Sequence, residues 1–427
     1  MTKHIRTGAC ARPSATPVGI ASGQSEFGLF AALTLGLGLP LILALAAVLA
    51  PLEALDILLV ALFALNTLWV AAAAATALLG LRALDRPSEL DDAPPGWRPG
   101  RRTAVLFLVC GEDPGAIATR IAALDADLRK TNTRDMTELW LLSDTPDAKA
   151  RDEIGTIDPL VASGVLKYRR RRRNLRRKPG NIADWIAECG TGFESMLVMD
   201  ADSVVTARRL TALRYRMERA PQLGLLQSGI ALRPASTRFA SLLRLSARLT
   251  GPVFTRGLGA WSGMIGNYWG HNALIRVQAF RDVMHLPALS GPAPYGGDYL
   301  SHDFIEAALL AQKGWHVQIA PDTHGSSEIA PDSLGAFHTR DRRWCQGNLQ
   351  HLRPLFSRGL KPASRVHLAC GVQSYLSSPI WLTLLLLFLL AGMAPGAVPI
   401  LSGALALLLV PKIAALIHVR QRTKRRT

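Results

Sequence analysis

Four long apolar runs, two before a polar middle and two after it, constrain this chain more than any other feature. Phe27 to Ala50 and Ile57 to Leu81 carry no charge, and Leu376 to Met393 and Ala397 to Val410 repeat the pattern. A membrane-spanning helix needs roughly 20 apolar residues. The first two runs reach that length and the third comes close. The fourth reaches it only by running past Lys412 into Ile413 to Ile417. Helices apolar on every side are unusual in soluble domains, so spans are favoured over buried core helices. The first run reads as an anchor rather than a signal peptide. The residues before it are too many and too polar for an n-region, and no obvious small-x-small cleavage site precedes the second run.

The expected organisation is a tail over 1–26, two membrane helices over 27–82 and a linker rich in Pro and charge over 83–102. A soluble domain follows over 103–355, then an interfacial segment over 356–375, two further membrane helices over 376–419 and a basic tail over 420–427. Lys3, Arg6 and Arg12 precede the first span, and Arg420, Arg422, Lys424, Arg425 and Arg426 follow the last. The loop between the first two spans has Glu53 and Asp56 and no basic residue. Positive-inside places both tails and the central domain of this multi-pass chain in the cytoplasm. The formal charge of +17 and pI of about 10.3 then point to anionic lipid rather than nucleic acid. The five cysteines show no paired metal spacing and suit reduced cytoplasmic thiols.

The soluble domain alternates strand and helix signals. Thr103 to Val109 is a continuous apolar run, as a strand buried on both faces should be. Ala116 to Leu128 has helical periodicity, Glu138 to Ser143 and Val165 to Tyr168 read as strands, Asn181 to Cys189 as helix and Ser195 to Met199 as strand. Such alternation predicts an α/β fold with a mostly parallel sheet and helices on both faces. Ligands of these sheets lie beyond the carboxyl ends of the strands. Glu112, Asp113, Asp144, Asp200 and Asp202 all fall there. A single acidic residue at such a place is commonly a cap or turn former, whereas a set on one rim marks a polar site. Asp200-Ala201-Asp202 is the sharpest of these signals. Two carboxylates just past a buried strand offer hard oxygens to a divalent cation, and that cation can hold the diphosphate of an activated donor.

Six stretches together resemble one family. They are Tyr168 to Asn174, Arg177-Lys178-Pro179-Gly180-Asn181-Ile182-Ala183-Asp184, Asp200-Ala201-Asp202-Ser203, Tyr268-Trp269-Gly270-His271-Asn272, Ser301-His302-Asp303-Phe304 and Arg340-Asp341-Arg342-Arg343-Trp344-Cys345. From about Val105 to Lys412 the chain resembles processive glycosyltransferase family 2 enzymes of the cellulose-synthase type, and within them the membrane glucosyltransferases of osmoregulated periplasmic glucan synthesis. The resemblance implies a GT-A-like fold, a UDP-glucose donor and a divalent metal, Mg2+ or Mn2+. It further implies a growing β-glucan acceptor, β-1,2 linked in that branch, and a periplasmic glucan-processing partner. By the same resemblance Asp113 and Asp144 hold the uridine, Asp200 and Asp202 hold donor and metal, and Asp303 is the catalytic base. Arg343-Trp344 meets the diphosphate and the acceptor sugar. The motif here opens on Arg340-Asp341 where the wider family has glutamine. Members of the branch are also longer, with further membrane helices after the pair seen here.

The residues themselves suit that chemistry. Inverting transfer needs a base, an electrophilic centre and a stabilised leaving group, and a carboxylate such as Asp303 can take the acceptor's proton in the transition state. Asp303 opens a helix signal, so a capping role stands beside the catalytic one. Arg343 can grip phosphate in bidentate fashion, and Trp344 offers a flat face to a sugar ring or a place in an interfacial belt. The run Lys167 to Arg173 with Arg176-Arg177-Lys178 fits a nucleic-acid patch, a lipid-facing surface or a phosphate grip through Lys178. His271 and Asn272 are candidates for the acceptor side, against the plain reading of a satisfied core histidine. The loop from Pro292 to Asp298 is expected to move until ligand binds. A catalytically silent, membrane-anchored nucleotide-sugar sensor or scaffold is the alternative function.

Overall fold

The computed structural model describes residues 26–84, 90, 92–131, 133–392 and 395–424. Lys3, Arg6, Arg12, Asp85-Arg86-Pro87, Arg425 and Arg426 lie outside them. Two apolar helices open the described chain, α1 (Phe27–Val48) and α2 (Ala54–Ala83). Glu53 and Asp56 close a reciprocal cap at the start of α2, with Glu53 N–H donating to Asp56 Oδ2 at 3.0 Å.

The central domain then runs β1 (Thr103–Val109), α3 (Pro114–Lys130), β2 (Thr137–Ser143), α4 (Asp147–Ala162), β3 (Leu166–Arg170), α5 (Arg177–Glu188), β4 (Ser195–Asp200), β5 (Val204–Val205), α6 (Ala207–Glu218), β6 (Leu223–Ser228) and β7 (Ala231–Leu232). It continues with α7 (Arg238–Ser262), β8 (Ala273–Arg276), α8 (Val277–Arg281), α9 (His302–Gln312), β9 (His316–Ala320), β10 (Ser326–Glu328) and α10 (Leu334–Gln350). The final helices are α11 (Pro362–Ala391) and α12 (Ala397–Lys424).

Seven strands form one sheet in the order β3-β2-β1-β4-β8-β6-β9, parallel except that β8 runs against both its neighbours. Strand alternation explains its two cores. Val105, Phe107, Leu139, Leu141, Leu197 and Met199 face α3, α4 and α6, while Leu106, Leu108, Trp140, Leu142, Met196 and Val198 face α5, α8 and α9. The register is what builds the site: Val109 pairs with Ser143 and Leu108 with Asp200, so three strand ends finish on one rim. A second sheet, β5-β10-β7, stands beside that rim.

All four terminal helices are long and apolar enough to cross a membrane. They share one packed cluster, in which Ile42 and Leu45 of α1 and Phe63 of α2 meet Leu384 and Phe388 of α11 and Ile400 of α12. The Asn66 amide donates to the Ser377 carbonyl at 3.0 Å and accepts from Gln373 at 2.8 Å, which satisfies the polar group inside the apolar bundle. The alanine-rich stretch of α2 reads as low complexity in sequence; its purpose is close approach. A Cβ on Gly257 of α7 would lie 1.9 Å from the Thr76 carbonyl, and one on Gly80 would lie 1.9 Å from the Val253 carbonyl. Helix α7 thus lies backbone to backbone on α2 and ties the sheet domain to the apolar helices. Helix α11 runs unbroken from Pro362, where an interfacial segment followed by a separate span was expected. Proline at its first turn starts it, and polar side chains of its first half pack into the central domain.

Candidate active site

Asp200 ends β4, with 42% of its side chain exposed. Lys178, on the first turn of α5, contacts its carboxylate. The turn before α5 is tightly wound, with Arg176 and Arg177 at φ 55° and 49°. A Cβ on Gly180 would lie 2.1 Å from the Leu175 carbonyl, so only glycine lets this turn fold over the helix start. Burial would raise the Asp200 pKa, but Lys178, His271 and His302 outweigh it and hold the carboxyl below its ordinary range.

Most of the arginine run is engaged within the domain. Arg169 pairs with Glu188 at 2.7 Å, Arg170 pairs with Asp147, and Arg171 grips both oxygens of Asp144 at 2.8 Å each. Arg171 also reaches Asp184 at 3.0 Å. The arginines left exposed are Arg172, Arg173, Arg176 and Arg177. Asp144 is therefore one half of a buried ion pair at the end of β2, not a bare carboxylate. Asp113 is exposed and caps α3, accepting from Gly115 N–H at 3.1 Å and Ala116 N–H at 3.3 Å.

Beyond β4, Asp202 has no ion pair among the described residues. Arg120 donates to the Ala201 carbonyl at 2.6 Å and Arg233 to the Asp202 carbonyl at 3.4 Å, so two guanidiniums flank the loop. No group of three His, Cys, Asp or Glu side chains suited to a metal occurs among the described residues. The donor set does fit magnesium or manganese held by one or two carboxylates, because such ions take their remaining ligands from water and from substrate phosphates.

His271 joins the two sheets. Its Nδ1 lies 2.9 Å from Ser203 Oγ and its Nε2 lies 3.3 Å from Glu328 of β10. Burial pushes the Glu328 carboxyl up. Asn272 is fully buried, in the left-handed region at φ 50°, and donates to Ser326 Oγ at 3.1 Å. Enclosed there, its side chain shapes the loop. Gln227 of β6 holds the same loop, accepting from Trp269 N–H at 2.9 Å and donating to the His271 carbonyl at 3.0 Å.

That loop delivers Gly270 to Asp303, where a Cβ would lie 3.4 Å from Asp303 Oδ2. Asp303 occupies the first turn of α9 while Ser301 takes the cap position, so the plain capping reading does not describe it. The Lys178 ammonium acts on both Asp200 and Asp303 and favours their ionised forms. Burial pushes the Asp303 carboxyl above its ordinary value.

Helix α10 packs against this helix start. A Cβ on Gly347 would lie 2.3 Å from Ser301 Oγ, Gln350 accepts from Leu300 N–H at 3.0 Å, and His351 Nε2 lies 2.9 Å from the Ser301 carbonyl. Trp344 is 41% exposed, and Arg340, one turn earlier, stacks on its ring at 4.5 Å. Arg340 acts on Glu328, whereas Arg343 is exposed. The loop expected to move is fastened to the same helix, through Gln346 to the Pro294 carbonyl at 3.2 Å and Gln350 to the Asp298 carbonyl at 3.2 Å. Sequence reasoning missed Arg120, Arg233, Gln227, Glu328 and Arg340, for which only Arg340 had a signal, its place in the arginine-tryptophan stretch.

The sheet order, the acidic rim and the second small sheet define a GT-A-type glycosyltransferase fold. A mannosyltransferase from Pyrobaculum calidifontis, solved in complex with GDP-Man and Mn2+, shares it at TM-score 0.53 and 18% identity, over 83% of this chain and 98% of that one. The family model for glycosyl transferase family group 2 matches residues 196–413, and the chain belongs to that family. Relatives include the glucans biosynthesis glucosyltransferase H of Cereibacter sphaeroides, 43% identical over 336 residues, 78% of this chain and 56% of that one. The Vibrio cholerae protein of the same name is 41% identical over 338 residues, 78% of this chain and 46% of that one. The chain thus spans about half the length of the curated relatives it matches.

Proposed function

We propose that this chain transfers glucose from UDP-glucose to a growing β-glucan, with β-1,2 linkage and inversion at the anomeric carbon, on the cytoplasmic side of a bacterial inner membrane. The reading is supported by the contact of Lys178 with Asp200 and by the influence of the same Lys178 on Asp303, in a chain 43% identical to a glucans biosynthesis glucosyltransferase H. The same reading puts both termini in the cytoplasm and includes a periplasmic glucan-processing partner.

Asp303 takes the proton of the acceptor hydroxyl as its oxygen attacks the anomeric carbon. The bond from that carbon to the diphosphate oxygen breaks, and UDP leaves with the electron pair. Asp200 and Asp202 would hold a divalent cation, which would supply charge neutralisation for the departing diphosphate. Lys178 holds Asp200 in place and offers its ammonium to phosphate. Arg120, Arg233 and Arg340 lend further positive field at the rim. The exposed face of Trp344 receives the acceptor ring, and Asp113 with the Asp144–Arg171 pair borders the uridine side.

Full-length protein in detergent, given UDP-glucose and Mg2+ or Mn2+, is expected to release UDP and to lengthen a glucan primer. Radiolabelled UDP-glucose, challenged with a panel of other UDP-sugars, identifies the donor and the linkage. Tight UDP-glucose binding without turnover would instead make the chain a sensor or scaffold.

A further inference from the structure

One buried charge pair has no part in the mechanism above. Glu306 of α9 has a fully buried side chain, and neither carboxylate oxygen has a hydrogen-bond partner among the described residues. Its ion-pair contact is His302 Nδ1, one turn earlier, at 3.1 Å. Tyr268 faces Glu306 but donates its hydroxyl to the Gly270 carbonyl at 2.8 Å. A carboxylate buried with a single partner must either take up a proton or keep that partner charged.

The charges around His302 favour the second state. Glu306 and Asp303 on its own helix and Asp200 on β4 are three carboxylates; Lys178 on α5 is the facing cation, and Asp200 engages it. His351 of α10, packed on the neighbouring Phe304, has its pKa pushed down by burial to about 4 and brings no charge. Tyr268, raised well above its ordinary value, brings none either. With a neutral His302, three carboxylates would face one ammonium. We infer that Glu306 holds His302 as an imidazolium and that this imidazolium keeps Asp303 ionised for its role as base, which makes His302 and Glu306 positioning residues for glycosyl transfer. Burial works against a charged His302, yet Glu306 and Asp303 carry it above the ordinary imidazole value.

The inference rests on Asp303 being the base, so UDP release by Asp303→Asn is measured alongside. The test is the pH profile of UDP release by the full chain, with the UDP-glucose Kd as a control for folding. Wild type should show an acid limb as Asp303 takes up its proton. His302→Gln should move that limb up by about 1–3 pH units, the scale of a close opposite charge. Glu306→Gln, which lets His302 lose its charge, should move it in the same direction, with the Kd for UDP-glucose of both variants within about threefold of wild type. If either variant fails to bind donor, the other decides. If both fail, the imidazole carbon shifts of labelled histidine in wild type decide, since His302 neutral at pH 7 overturns the inference and His302 charged upholds it. Variants that lose activity equally at every pH overturn it and leave the base assignment intact, whereas an active Asp303→Asn removes that assignment itself.

Discussion

At the residue scale, the site is a balance between exposed oxygens and charges committed elsewhere. Asp144 was legible as acidic and past a strand, but its partner was not, because Arg171 follows it by 27 positions in a run of identical side chains. Which arginine of such a run turns inward depends on the β2–β3 register. Asp144→Ala is expected to destabilise the domain by roughly 1–3 kcal/mol, because the buried Arg171 guanidinium loses two hydrogen bonds and keeps only Asp184 as an ion partner among the described residues; thermal melting reads this. Lys178→Met should weaken UDP-glucose binding more than tenfold. It should also raise the Asp200 pKa towards the value that burial alone would set, since Lys178 is the largest influence opposing burial there. Asp200 is depressed in the fold, so its contribution to stability is present above its unfolded pKa and is lost as pH falls through the folded value. In Lys178→Met the gap between folded and unfolded values narrows, so that acid-side loss should be smaller, as stability followed against pH by tryptophan fluorescence would show.

At the scale of elements, strands buried on both faces were plain in the sequence, since β1, β2 and β4 are nearly unbroken apolar runs. The two-residue strands β5 and β7 were not, because strands that short carry no period and form only where β10 pairs them. Helix α7 escaped notice for another reason: its Leu242 and Leu245 are exposed and its buried contacts lie at small residues against α2. Asp303 was legible as a helix-opening aspartate, yet what holds the start of its helix was not, because Gly347 and Gln350 of α10, and His351 just past it, read as ordinary polar helix. Gly347→Ala should force α10 off Ser301 and lower kcat at least tenfold while UDP-glucose still binds. Gly257→Val should separate α7 from α2 and lower the melting temperature of the detergent-solubilised protein by several degrees, as expected for about 2 kcal/mol of overpacking.

At the scale of the whole molecule, the helices and the sheet domain are one mechanical unit. Helix α2 touches α7 through paired glycines, and α11 continues from the domain into the apolar bundle without a break. The sequence pattern announced four apolar helices but not this attachment, which depends on backbone proximity rather than on hydropathy. Trp344 lies on α10, and Asp341 of that helix accepts from Tyr375 of α11 at 3.0 Å, which joins α10 to the apolar helices as well.

The most direct measurement pairs turnover with binding in Asp303→Asn, assayed as full-length protein in detergent with UDP-glucose, Mg2+ and a glucan primer. UDP release falling at least a thousandfold, with the Kd for UDP-glucose unchanged, is the predicted result. Wild-type turnover in that variant would contradict the account.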